Sequence, residues 1–373
     1  MGPGSAPSAR PRSGLDDVVA VRTRLSHVDG ETGELVLAGR RVEALAFGQG
    51  FEAVCLLLWR GALPEEAERA RFAEAVGRRR VALHERIVAG ALVPSASPPP
   101  ADPMDALRAL LARLEATGDP MEDSMTLLAG VPVANAWWWW GRRGAAAPAP
   151  EPERTTAADY LRTLTGREPT EAAVRGLERY LVTVSDHGMN ASTFTARVIA
   201  STRSDMVSAV VGAVGALKGP LHGGAPGPVL DMLDAIGAPE SAEAWLRREL
   251  EAGRRIMGMG HRVYRVRDPR AAVFERALAE MEGGGGSERL RLARAVERTA
   301  EAVLAERYPE RRLKANVEFY TAVLLEAVGV PRELFAATFA LGRTAWWCAH
   351  FMEQREEDRL IRPRSAYVGP EPV

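Results

Sequence analysis

This sequence has very little cysteine, no long apolar run and almost no net charge. Only Cys55 and Cys348 occur, both in apolar helical surroundings without a CxxC spacing, which argues against a disulfide framework or a cysteine zinc site and predicts two buried free thiols. No apolar run approaches about 20 residues, and residues 1–30 lack a signal-peptide stretch, so we expect a soluble, cytoplasmic protein. A formal net charge of −1 argues against nucleic acid or an anionic membrane as a general partner.

Lysine is nearly absent as well. The chain has 46 arginines and only two lysines, Lys218 and Lys314. Lysine is a compact, flexible point charge, whereas arginine is a rigid fork. A lysine retained in such a sequence indicates a tight position or a phosphate approached end-on; the alternative is that both are retained by chance.

Apolar residues at helical spacing dominate what is present. Segments such as FEAVCLLLWRG and RELFAATFALGRTAWWCAHFMEQRE predict an all-α, multi-helix fold. At 373 residues the chain exceeds the roughly 250 to 300 that one core supports, which predicts two domains. Short alternating runs between Val19 and Val42, around DGETG, predict an N-terminal β-hairpin, and we expect residues 1–14 to be a disordered tail. Residues Trp137 to Trp140 point all round a helix, so some must lie under a loop or against a partner subunit.

Three of the six histidines lie at glycine-marked breaks between helices. His187 precedes an Asn-Ala-Ser-Thr helix start, His222 lies in GPLHGG, and His261 follows the glycines of MGMGH. Unpaired backbone groups at helix ends can fix an imidazole tautomer and tune its basicity, so catalysis is one interpretation and a satisfied structural histidine the other. No histidine pair has the spacing of a helical metal motif, and no HExxH occurs, so we expect no metal site.

Several blocks in a fixed order resemble the citrate synthase family: SDHGMNASTFTAR, GALKGPLHGGA, GMGHRVYRVRDPRA, NVEFYTAVLLEA and LGRTAWWCAHFMEQ. The resemblance extends over nearly the whole chain. It implies an all-α fold, a homodimer, and a small domain that closes on a large one. Residues 15–224 would form the large domain and 225–330 the small domain, and 331–373 would return to the large domain and end as a C-terminal arm.

The resemblance also implies a reaction, in which acetyl-CoA condenses with oxaloacetate to give citrate and free CoA without a cofactor. His222 would hydrogen-bond the thioester carbonyl oxygen, and Glu318 would remove the methyl proton. His261 would polarise the oxaloacetate ketone and protonate the developing alkoxide.

The resemblance further implies residues that bind the two substrates. Those for oxaloacetate are His187, His261, Arg270, Arg343 and Arg362, the last reaching across from the partner subunit. Those for CoA are Asn190, Gly258, Gly260, Arg265 and Lys314, with Phe339 beside the acyl group. Several arginine side chains suit a dicarboxylate substrate, because each planar guanidinium can pair with a carboxylate at two points.

One residue departs from the family motif. The base is usually the aspartate of an NVDFY-like sequence, whereas this chain reads NVEFY, with Glu318 in that place. The carboxylate is kept, but its reach changes by one carbon, and displacing a base by ~1 Å can cost about a hundredfold in rate. Three consequences are open: ordinary catalysis with an adjusted backbone, another substrate such as propionyl-CoA (giving 2-methylcitrate) or a specialised 2-oxo acid, and poor turnover in a protein with a binding role.

Overall fold

Fifteen α-helices and one small sheet make up the part of the chain that the structure describes. The computed structural model describes residues 14–15, 18–93, 98–223, 226–260, 264, 266–281 and 287–370. The helices are α1 Val42–Gly48, α2 Phe51–Arg60, α3 Glu66–Val88, α4 Pro103–Leu111, α5 Pro120–Gly141, α6 Thr156–Thr165, α7 Glu171–Val184, α8 Ala191–Ser201, α9 Met206–Leu217, α10 Pro226–Ile236, α11 Ala242–Glu251, α12 Pro269–Met281, α13 Glu288–Arg307, α14 Val317–Ala327 and α15 Phe335–Glu357. The predicted all-α fold is confirmed, and the predicted tail lies outside the described residues apart from its last residue.

Aspartate followed by proline starts two of the helices. The side chain of Asp102 accepts a hydrogen bond from the backbone N–H of Met104 at 2.7 Å, and Asp119 does the same for Met121 at 2.8 Å. An N-cap acceptor satisfies an amide that has no partner within its helix, and proline in the first turn loses nothing by having no N–H. These local signals fix where α4 and α5 begin.

The predicted N-terminal hairpin is confirmed. Strands β1 (Ser26–Asp29) and β2 (Glu34–Leu37) pair antiparallel, and the short β3 (Arg40–Arg41) extends the sheet. Gly33 ends the turn with φ +73°, and a Cβ at that position would lie 2.7 Å from Val266. The hairpin turn therefore lies directly against the segment that leads into α12.

Helix α15 is the central element of the fold. It packs against α2, α5, α7, α8 and α9, and Trp346 and Trp347 on it are fully buried. It passes closest to α7 at Gly342, where a Cβ would lie 2.6 Å from Val184 Cγ2. A larger residue at position 342 would force the two helices apart. It would also displace Arg343, the next residue on α15.

The tryptophan run in α5 packs largely against loops and a neighbouring helix end. Trp138 is buried and its indole donates to the Pro100 carbonyl at 2.8 Å, while the Trp140 indole donates to the Thr163 carbonyl at 2.7 Å. The guanidinium of Arg143 covers the Trp139 ring at 3.0 Å. These contacts give the run a structural role in this chain.

Cys55 and Cys348 are buried free thiols, as the sequence predicted. Within the described ranges, no helix combines the length and the apolarity needed to cross a lipid bilayer.

Candidate active site

His222 lies in the turn that follows α9, and its ring is held by α8 and α15. Its backbone N–H donates to the Gly219 carbonyl at 2.9 Å, which closes the turn. Its Nε2 lies 2.8 Å from the hydroxyl of Ser192 in the first turn of α8. The Trp347 indole donates to the same hydroxyl at 3.1 Å, and that hydroxyl lies 2.8 Å from Asn190 Oδ1. Two further helices therefore fix the orientation of this imidazole.

The half-buried imidazole of His222 is neutral at physiological pH. Burial, and to a smaller extent the nearby charge of Arg343, lower its pKa to about 4. A neutral ring can donate one hydrogen bond to a substrate oxygen without bringing a full charge into the site.

Glu318 lies in the first turn of α14, two residues after the N-cap residue Asn316. The residue as a whole is half-buried, but its Oε2 is sealed from solvent and has no hydrogen-bond partner among the described residues. Burial raises the pKa of this carboxyl, and the charge of Arg270 opposes the rise. A carboxyl with a raised pKa and an unengaged oxygen is suited to accept a proton from a substrate.

Two buried arginines, Arg270 and Arg343, lie near this carboxyl. Arg270, at the start of α12, is held at two points by Asp268, with Nε–Oδ1 3.0 Å and Nη2–Oδ2 2.7 Å. Arg343 on α15 donates from Nε to the Val184 carbonyl at 2.6 Å, while its buried Nη1 has no partner within the described part of the chain. Burial lowers the pKa of Arg343 to about 10, so the group stays charged at neutral pH. Such a guanidinium is poised to bind an anion.

Arg343 is the electrostatic centre of the site. Its charge lowers the pKa of His222 and that of Glu318, and Arg270 in turn lowers the pKa of Arg343. His187 is connected to this group through Tyr264: its ring lies 5.4 Å from the Tyr264 ring, over which the Arg270 guanidinium lies at 6.0 Å. The fold thus brings together four of the residues singled out from the sequence, His222, Arg270, Glu318 and Arg343. His187 is connected to them through the Tyr264 ring.

The glycine turn before residue 261 is bonded to the segment that leads into α14. Gly258 and Gly260 have φ +73° and +85°, and a Cβ on Gly258 would lie 2.9 Å from Phe319. The Gly260 N–H donates to the Lys314 carbonyl at 2.7 Å, and Asn316 Nδ2 donates to the Gly260 carbonyl at 3.0 Å. The turn is therefore fixed next to the start of the helix that carries the carboxyl. His261 and Arg265 lie outside the described residues.

The remaining site candidates have contacts of several kinds. Asn190 caps α8 by accepting from the Thr193 N–H at 3.1 Å. The ring of Phe339 lies 4.6 Å from the Arg343 guanidinium, which places it at the same site. Arg362 is exposed on the segment that follows α15.

The two lysines form ion pairs. Lys218, at the end of α9, lies 2.6 Å from Asp105 and 3.3 Å from Asp102, which joins the helix before His222 to the start of α4. Lys314 is half-exposed and lies 2.7 Å from Glu301. The two acidic neighbours account for a cation at position 218, whose side chain is 35% exposed.

Sequence reasoning missed several residues of the site. Asp186 is fully buried, and neither of its oxygens forms a hydrogen bond of good geometry with the described residues, although Ser26 and Arg343 lie close enough to act on it. Burial raises its pKa to about 7, against the opposing effects of those two groups. Asp186 and Ser192 lie within the motif SDHGMNAS, so the sequence contained a signal for both of them. Tyr180 belongs to no such motif, and the sequence contained no signal for it.

Comparison with known proteins gives a consistent set of relatives. Residues 14–364 match the family profile described as citrate synthase, C-terminal domain. The chain is 36% identical to the citrate synthase of Haloferax volcanii, with 96% of each chain covered. It is 47% identical to the putative citrate synthase 2 of Mycobacterium tuberculosis over 205 residues, and there the chain spans about half (54%) of the relative's length.

Solved structures show the same likeness. Citrate synthase from Thermotoga maritima superposes with a TM-score of 0.83 at 34% identity, over 97% of this chain and 96% of that one. A ternary complex of the Thermoplasma acidophilum citrate synthase with carboxymethyl coenzyme A and oxaloacetate gives 0.83 at 28% identity, over 96% of both chains.

Proposed function

Because this chain belongs to the citrate synthase family, we propose that it condenses acetyl-CoA with oxaloacetate and releases citrate and CoA. One observation supports this most directly. Arg343, a buried guanidinium whose Nη1 is unpaired among the described residues, acts electrostatically both on Glu318, a carboxyl whose buried Oε2 is unengaged among those residues, and on the neutral imidazole of His222. A base, a hydrogen-bond donor for an oxyanion and a carboxylate-binding group are what such a condensation needs.

The first step makes an enolate of the thioester. Glu318 takes a proton from the acetyl methyl carbon, and the C–H electron pair moves toward the thioester oxygen. The one hydroxyl proton of Ser192 lies toward Asn190 Oδ1 in the structure; when it turns to Nε2 of His222, Nδ1 carries the ring proton and donates to the thioester oxygen. This hydrogen bond strengthens as negative charge develops, so it stabilises the transition state more than the bound substrate.

The second step forms the carbon–carbon bond. The enolate carbon attacks the ketone carbon of oxaloacetate, whose carboxylates are held by Arg270 and Arg343. His261 gives its proton to the resulting alkoxide. Water then hydrolyses the thioester, the carbonyl becomes the third carboxylate of citrate, and CoA leaves as the thiol.

Thiol release tests the proposal. Purified protein, shown to be folded by circular dichroism, should release free CoA only when acetyl-CoA and oxaloacetate are both present. Folded protein that binds the substrates but releases no thiol would contradict the proposed reaction and favour a binding role.

We expect acetyl-CoA to be preferred over propionyl-CoA by about 10- to 100-fold in kcat/KM. Glutamate at position 318 carries one methylene more than aspartate and takes up space beside the acyl carbon, and one methylene of misfit in a pocket is worth about 1–3 kcal/mol. The same assay with both thioesters measures the ratio. Glu318→Asp should raise the relative rate with propionyl-CoA, whereas a wild-type preference for propionyl-CoA would show that the chain makes 2-methylcitrate.

The place of Arg362 supports a homodimer. The backbone N–H of Ile361 donates to Ser201, the last residue of α8, at 3.1 Å. Ser192, which contacts His222, is nine residues earlier on that helix, or about 14 Å away at 1.5 Å per residue. Arg362 therefore follows a residue that is held at the end of α8 opposite to Ser192, which favours binding of oxaloacetate in a second copy.

Mixed dimers test this arrangement. Arg362→Ala and His222→Asn should each lose most activity alone, by at least about tenfold. Co-expressed and mixed at random, they should recover about a quarter of wild-type activity, because half of the dimers are mixed and one of their two sites has both residues intact. Mixed dimers that form but stay inactive would show that Arg362 serves its own subunit.

A further inference from the structure

Tyr180, in the middle of α7, is fully buried, yet its hydroxyl has no hydrogen-bond partner among the described residues. Two other buried tyrosines, Tyr160 and Tyr320, differ in this respect. The Tyr160 hydroxyl is bonded to Asn135 at 3.0 Å and Thr338 at 2.8 Å, and the Tyr320 hydroxyl donates to Glu297 at 2.6 Å. An unpaired buried hydroxyl lowers stability relative to phenylalanine, so a ligand-binding role would account for Tyr180.

The surroundings of Tyr180 are those of the candidate active site. Helix α7 packs against α12, α14 and α15, the three helices that carry Arg270, Glu318 and Arg343. The Tyr180 ring lies 5.5 Å from that of Phe274, one turn into α12. Burial raises the pKa of the phenol, the charge of Arg343 opposes the rise, and Glu318 adds to it. The hydroxyl is therefore protonated at neutral pH, close to these charges.

The unpaired groups beside it select the kind of ligand. Among the described residues, Arg343 Nη1 is a buried donor without a partner, and the Nε of the same guanidinium is bonded to the Val184 carbonyl, one turn after Tyr180 on α7. The Tyr180 hydroxyl therefore adds a second donor from a helix that Arg343 contacts. Two donors that converge from different elements fit the oxygens of one carboxylate. Glu318 is also an acceptor, but its Oε2 has no hydrogen-bond partner among the residues that the structure describes, so Tyr180 does not donate to that oxygen.

We propose that the Tyr180 hydroxyl donates a hydrogen bond to the acceptor carboxylate bound by Arg343, and so contributes to the recognition of oxaloacetate. The inference rests on the proposed function, because that function supplies the dicarboxylate acceptor. It adds to the site a neutral donor that the sequence motifs do not contain.

Tyr180→Phe tests the inference, with Tyr160→Phe as the matched control. Tyr180→Phe should raise both the KM and the calorimetric Kd for oxaloacetate by about 10- to 100-fold, the range of one hydrogen bond to a charged group. The KM for acetyl-CoA should change less than about twofold, and the Tm of the ligand-free protein should stay the same or rise. Tyr160→Phe should lower the Tm and leave the oxaloacetate Kd unchanged, because it removes bonds to Asn135 and Thr338.

Three results would overturn the inference. If Tyr180→Phe lowers the Tm and leaves the oxaloacetate affinity unchanged, then Tyr180 is structural. If it lowers kcat and leaves the oxaloacetate Kd unchanged, then the hydroxyl acts on Glu318 and not on the acceptor. The third is a wild-type protein that does not bind oxaloacetate, which would also overturn the assignment of oxaloacetate as the acceptor. Calorimetry needs no turnover, so wild-type binding without thiol release would overturn the proposed reaction alone and leave the Tyr180 comparison valid.

Discussion

Glu318→Gln is expected to lower kcat for thiol release about a thousandfold. Glutamine keeps the shape of the side chain but cannot accept the methyl proton, and a positioned base contributes about 10²- to 10⁴-fold. Because Glu318 Oε2 has no hydrogen-bond partner in the described part of the chain, the amide should not weaken the fold. Steady-state kinetics with both substrates saturating measures the effect.

Glu326→Gln is the control on the same helix. Glu326 pairs with Arg289 and Arg332, away from the three groups of the proposed reaction, so kcat should stay within about twofold. Glu318→Asp should lower kcat about a hundredfold, since the carboxylate retreats by one carbon, ~1 Å. Full activity in Glu318→Gln would remove Glu318 from the reaction, and an aspartate variant much faster than wild type would show a site poorly adapted to glutamate.

The pH dependence of kcat/KM also tests whether Glu318 is the base. Glu318 acts as the carboxylate, and burial raises its pKa, so kcat/KM for acetyl-CoA should fall with decreasing pH through a limb that lies above the ordinary glutamate value. His222, with its pKa at about 4, should add no limb between about pH 5 and pH 9. The Glu318→Gln variant should lack the acidic limb.

Arg343→Gln is expected to lower kcat/KM for oxaloacetate by about a thousandfold or more. A buried guanidinium that binds a substrate carboxylate at two points contributes several kcal/mol, and glutamine supplies neither the charge nor the fork. The ligand-free variant should be as stable as wild type or more stable. Burial lowers the pKa of Arg343, so the folded state disfavours the charge that the substitution removes.

Arg80→Gln should show the opposite pattern. Arg80 is equally buried, but it donates to Asp159 at 2.9 Å and to the Arg154 carbonyl at 2.8 Å. Its removal leaves a buried carboxylate without its partner, so the Tm should fall sharply while folded protein keeps its oxaloacetate KM. Oxaloacetate should raise the Tm of wild type and not that of Arg343→Gln. If Arg343→Gln loses stability and keeps its oxaloacetate KM, then Arg343 is structural.

Local patterns determined the secondary structure. Apolar spacing gave the helices, aspartate–proline pairs set where α4 and α5 begin, and the turn DGETG marked the hairpin, because these signals act over a few residues. The motif around His222 and the departure at Glu318 were also readable from the sequence, since each is a short run with a distinctive residue. The division into a large and a small domain stays a prediction.

Only the tertiary structure selected among like residues. Composition and spacing do not separate Arg343 or Arg270 from the other arginines of a chain with 46, and the sequence pointed to them only through the family resemblance. The structure adds that both are buried, as Arg80 is, and that Arg343 Nη1 differs in having no partner among the described residues. The same holds for Ser192, which meets a histidine 30 residues later, and for Tyr180, whose hydroxyl is set apart only by the absence of a partner. Propensity and spacing are local properties, whereas desolvation and charge proximity arise when separate segments pack together, and these decide what each side chain can do.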